Sequence, residues 1–186
     1  MVYSGDVDYC RMACEKLRTA ILDSKAEYSS VLEAIEKTLV KLYKGPIAAH
    51  PGPEKPSISL LIALRFAGEP FVSLIKTTET AVVGARGSEF IGAGAELARY
   101  VASKIYDFSC STEEAALIAA YILHEVKRNV RGCGGISTII ALEPRSMGAA
   151  LSNVVEKIEK RFKRNFVPED FSDVHPLLDR LISSGP

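Results

Sequence analysis

The chain has 186 residues, 47% hydrophobic and 25% charged, and its 23 basic and 23 acidic side chains cancel. A chain of that size and make-up holds one domain with a full core. Its zero net charge offers nothing to a nucleic acid or an acidic membrane surface, and it favours self-association. No apolar run is long enough to cross a bilayer, and the start lacks the basic-then-apolar pattern of a secretory signal. Cys10, Cys14, Cys110 and Cys133 contain no Cys-x-x-Cys pair, which fits a reduced, cytoplasmic setting.

The elements follow in order. A short β-like piece at residues 2–4 ends in Gly5. A helix over residues 6–25 carries Cys10, Ala13, Cys14, Leu17 and Ile21 on one face, at the spacing of an amphipathic helix. Ser30 and Glu33 form a capping box for a second helix, with Leu32, Ile35, Leu39, Leu42 and Tyr43 inward and Gly45-Pro46 as its stop. Residues 47–56, rich in proline and glycine, read as a surface loop. Residues 57–66 form a long apolar strand, residues 67–70 a turn and residues 71–76 the return strand of a hairpin. Residues 80–85 give a third strand.

The next stretch is the most informative one. Gly92-Ala93-Gly94 sits between a β-like run and a helix over residues 95–106. Two glycines let the backbone turn sharply, and the helix start presents free N–H groups to an anion or a developing oxyanion. Ser111 and Glu114 cap a fourth helix carrying Leu117, Ile118, Tyr121, Ile122 and Val126 inward. A glycine loop, Gly132-Cys133-Gly134-Gly135, precedes a strand over residues 136–142. A long helix over 147–163 and a short one within 173–182 make a helical extension over 143–186. Helices come in pairs between blocks of strands, which points to a layered α+β domain in which paired helices cover a sheet.

That order resembles the proteasome-type Ntn hydrolases, the fold family of the 20S proteasome subunits. Residues 2–5 with Asp8 resemble the strand and Gly-x-x-Asp start of the family's first helix. Residues 57–76 resemble its paired strands, and Gly92-Ala93-Gly94 its Gly-Ser-Gly entry to the third helix. Residues 111–115 resemble the acidic start of its fourth helix, and Gly132-Cys133-Gly134 its glycine loop before a strand. The likeness covers about residues 2–142 of a single domain over 1–186. It implies an αββα sandwich, incomplete at the N-terminus because the family's first strands, with their threonine nucleophile, aspartate and lysine, would precede Val2.

An Ntn nucleophile uses its own α-amine as base. Neither Met1 nor Val2 can attack a carbonyl, and Ala93 and Cys133 stand where the family often has serine. No catalytic residue is therefore assigned. Gly92, Ala93, Gly94, Gly132, Cys133 and Gly134 are the candidate oxyanion or glycine-turn positions. The expected role is a catalytically silent, proteasome-like subunit, structural or assembling, that contacts like or related subunits in an oligomer. A threonine-type peptidase or amidase whose nucleophile segment lies upstream is the alternative, and a small ligand-binding or adaptor domain the third reading. His50, His124 and His175 lack metal-ligand spacing. No metal, cofactor, nucleic acid or membrane is expected.

Overall fold

The computed structural model describes residues 1–140 except 67, 70, 71 and 86, with the side chain of 113 also left aside. The helices expected over 147–163 and 173–182, and most of the bend at 67–70, lie outside the described residues. The chain divides into two compact units, Met1–Gly92 and Ala93–Pro186.

The first unit is a four-stranded antiparallel sheet with a helix pair on one face. Its strands are β1 (Val2–Gly5), β2 (Ile58–Leu64), β3 (Ser73–Thr78) and β4 (Ala81–Ala85), in the order β1-β2-β3-β4. Its helices are α1 (Val7–Asp23) and α2 (Tyr28–Leu42). The passage from β1 to α1 needs glycine at position 5. Gly5 has φ +128°, and the Ser57 carbonyl occupies the place of a side chain there. Asp6 then caps α1, its carboxylate accepting from the N–H groups of Asp8 and Tyr9 at 3.2 and 3.3 Å.

Burial follows the expected helical spacing. Cys10, Ala13 and Leu17 of α1 and Val31, Ile35, Leu39 and Leu42 of α2 are buried against Ile58, Leu60, Ile62 and Ile75 of the sheet. Successive strand residues face opposite sides, so Ile58, Leu60 and Ile62 meet the helices while Leu61 and Ala63 face away. The register places Leu60, Thr77 and Val82 side by side on the helix-facing side. The other face is only partly covered: Leu61, Leu74 and Ala85 are half-buried and Val83 is exposed.

Two junctions depart from the local signals. α2 starts at Tyr28, before the Ser30–Glu33 box, and Glu27 at its N-cap makes no side-chain cap bond. The Tyr28 ring meets Phe66 edge-on at 5.8 Å, so a tertiary contact extends the helix past its local start signal. At the other end the chain passes through Gly45-Pro46 as a π-helical turn, Tyr43–Ile47, which buries Ile47. The Tyr43 hydroxyl accepts from the Ile58 N–H at 3.1 Å and so fixes the start of β2.

In the second unit α3 (Ala95–Ile105) packs on α4 (Thr112–Asn129). Ala98, Val101, Ala102 and Ile105 face Leu117, Ile118, Tyr121 and Val126 in its core. The capping box of α4 forms as expected: the Ser111 N–H donates to the Glu114 carboxylate at 2.6 Å, and the Glu114 N–H to the Ser111 hydroxyl at 3.2 Å. Of the strand expected over 136–142, residues 136–140 are described, and among them Ile140 alone takes part in a β-bridge. Residues 136–139 carry no strand, and Ile136 is 91% exposed. A β-branched run holds strand geometry only where a ladder partner is present. The architecture is thus α+β, with one antiparallel sheet and four helices among the described residues; the second sheet that an αββα sandwich requires is not among them.

Candidate functional site

The six glycine-turn positions were singled out for their places before and after helices. Gly92, at the end of the first unit, has φ +98°, a conformation side chains rarely adopt. A side chain there would lie 3.2 Å from the Ser4 hydroxyl. Ala93 and Gly94 open the second unit. Gly94 is the N-cap of α3, and its carbonyl accepts the first helical bond from the Ala98 N–H at 2.9 Å. No side chain caps this helix start, so its leading N–H groups keep the partial positive charge of a helix N-terminus. Glu96 lies in that first turn and already supplies a negative charge.

Gly94 and Cys133 come together. A Cβ built on Gly94 would collide with a methyl of Val126 and lie 3.4 Å from the Cys133 sulfur. The two glycine segments, 38 residues apart in mid-sequence, are therefore neighbours within the second unit, bridged by α4. The space that a side chain at 94 would need is taken by Val126. Close packing of α3 on α4 accounts for glycine at 94, whose φ of −92° is open to any residue. Cys133 lies in the turn that ends α4, its N–H donating to the Val130 carbonyl at 3.1 Å, beside Gly132 at φ +88°. Gly134 has open space around it.

Several hydroxyls and thiols of the described residues are engaged away from the glycine turns. The hydroxyls of Thr19, Ser24, Thr38 and Ser103 donate to backbone carbonyls of their own helices. The Cys10 thiol is buried and donates weakly to the Ser4 carbonyl at 3.7 Å. Burial raises its pKa, with Cys14 and Asp6 adding to the effect. Burial also raises Cys14 and Cys110. Such thiols stay protonated and inert at neutral pH.

Two of the three histidines lie among the described residues. His50 is bonded through Nδ1 to the Tyr9 hydroxyl at 3.0 Å, with the two rings edge-on. Lys55 closes the same loop by donating to the Ala48 and His50 carbonyls at 2.8 and 3.2 Å. His124 is buried on α4. His175 lies outside the described residues. Among the described residues no cluster of His, Cys, Asp or Glu could hold a metal ion.

Sequence reasoning missed two features. The Lys76–Glu89 ion pair, 2.9 Å long and largely shielded, sits on the sheet face away from the helices. A groove of about 420 Å³ beside the ends of α1 and α2 is lined by Lys16, Asp23, Thr38 and Lys41. Neither leaves a sequence signal, because each joins residues from separate elements.

No family model matches the chain, and a search of curated proteins finds no match. Among solved structures, Anbu (ancestral beta-subunit) from Yersinia bercovieri is similar, with a TM-score of 0.69 and 12% identity over 96% of this chain and 78% of that one. At that identity the likeness shows the fold. It corrects the assignment to the 20S proteasome subunit family with its first strands missing: the order of elements carries a shared architecture, and with no matching family model it does not carry membership. Short glycine turns and capping boxes recur wherever a chain enters a helix, so they cannot identify a family.

Proposed function

We propose that this chain is a non-hydrolytic, structural subunit of an oligomer built on a proteasome-like fold. The observation that carries the reading is the architecture it shares with a protein described as an ancestral beta-subunit, at a TM-score of 0.69 across nearly the whole chain. Three features support it. The space of a side chain on Gly94 is filled by Val126, so helix packing accounts for the glycine without a ligand. The hydroxyls of Thr19, Ser24, Thr38 and Ser103 are spent on backbone carbonyls, and three thiols are held protonated by burial. The sheet face opposite α1 and α2 keeps apolar surface in water, as a subunit awaiting a neighbour does. On this reading Gly92, Gly94, Gly132 and Cys133 shape the entry to α3 and the exit from α4. The free cysteines suit a reducing compartment such as the cytoplasm.

Hydrolysis is the direct test. The purified chain, offered fluorogenic peptides and a threonine-directed electrophile, is expected to show no turnover above buffer and no covalent adduct by intact mass. Turnover lost on blocking the α-amine would replace this reading with an N-terminal-nucleophile hydrolase.

A further inference from the structure

The outer edge of β4 is an open pairing site. β4 is last in the strand order, so among the described residues it has a partner on one side only. Thr78 and Ala81 close the two-residue turn between β3 and β4. Such a closing pair is hydrogen-bonded, and bonded pairs then alternate with non-bonded ones along the ladder. Lys76–Val83 and Leu74–Ala85 are therefore the bonded pairs facing inward. The N–H and C=O groups of Val82 and Gly84 are turned to the open side.

Edges of this kind are normally guarded by a charge, a proline or a bulge. The strand Ala81-Val82-Val83-Gly84-Ala85 has no charge and no proline, and Val83 is 60% exposed. It is also held firmly for pairing. α2 backs it, and the Tyr28 hydroxyl occupies the place of a side chain on Gly84.

We infer that β4 pairs with β4 of a second copy of this chain, antiparallel about a two-fold axis at Val83, joining two sheets into one. The inference rests on the oligomeric reading above and names the surface that serves it. The strand's own sequence selects a second copy over a foreign strand. Reversed about Val83 it sets Ala81 against Ala85 and Val82 against Gly84, so every contact is small or apolar and the outward groups of Val82 and Gly84 meet as bonded pairs. Zero net charge removes repulsion between copies.

At the axis the two Val83 side chains lie directly opposite, where like charges repel and opposite charges attract. Val83→Lys and Val83→Glu should each lower the light-scattering mass of the assembly to half or less. Far-UV circular dichroism should stay unchanged, since the site is exposed. An equimolar mixture of the two variants should restore the wild-type mass. Variants that keep the wild-type mass, or a mixture that fails to restore it, overturn the β4 pairing and leave the oligomeric reading in place. A monomeric wild type removes both.

Discussion

Thr77 is the residue the fold satisfies least. It is fully buried between Leu60 and Val82, and its hydroxyl has no hydrogen-bond partner among the described residues. A buried polar group without a partner costs about 1–3 kcal/mol, whereas valine has nearly the same shape and nothing to satisfy. Thr77→Val should therefore raise the unfolding free energy by about 1 kcal/mol, read from urea denaturation; a loss of stability would show that the hydroxyl has a partner after all. Tyr121 gives a second test. Burial pushes its phenol up to about 12, with Glu125 adding and Arg128 opposing, against 10.0 for a free tyrosine. The folded phenol keeps its proton longer than the unfolded one. Stability is then whole below pH 10 and falls as pH rises toward 12. The thermal midpoint of Tyr121→Phe should fall less over that window than the wild type's, and equal falls would contradict the assignment. The burial of Tyr121 was legible in the sequence from helical spacing. The isolation of Thr77 was not, because it depends on which strands flank β3.

Among the elements, the junctions written locally were the legible ones. Ser111 with Glu114 caps α4 as read, because both members of the cap lie within one turn of chain. α2 began earlier than its capping box because Tyr28 is held by Phe66, nearly forty residues away, and no local pattern records that. Residues 136–139 carry no strand and Ile140 a single β-bridge, since β-branched residues mark a strand only where a partner is at hand. The Gly92-Ala93-Gly94 turn was found correctly as the entrance to α3, but the reason for glycine at 94 lies in α4. A substitution separates packing from a ligand role. Gly94→Ala drives a methyl into Val126 without backbone strain, and overpacking of this kind costs about 1–3 kcal/mol. Val126→Ala should relieve most of that cost, so that the double variant is more stable than the two single losses added together. Strict additivity, measured by thermal unfolding, would mean that α3 and α4 do not meet at this point.

At the scale of the molecule, the sequence conveyed an α+β chain of paired helices and antiparallel strands, and it overreached on kinship. The order of elements is shared with the Anbu structure at 12% identity, while no family model recognises the residues. Architecture survives such divergence because many side chains of similar size fill the same core positions. An active site does not, because it needs particular atoms at particular distances. Assembly depends on apolar surface left in water. Leu61, Leu74 and Val83 on the outer sheet face are that surface here. No helix among the described residues is long and apolar enough to cross a membrane. The oligomeric reading assigns that surface to a neighbouring subunit. Native mass spectrometry of the purified chain at micromolar concentration tests the account most directly. A discrete multiple of the 20.2 kDa chain mass is the expected result, and a lone 20.2 kDa species across the whole concentration range would contradict it.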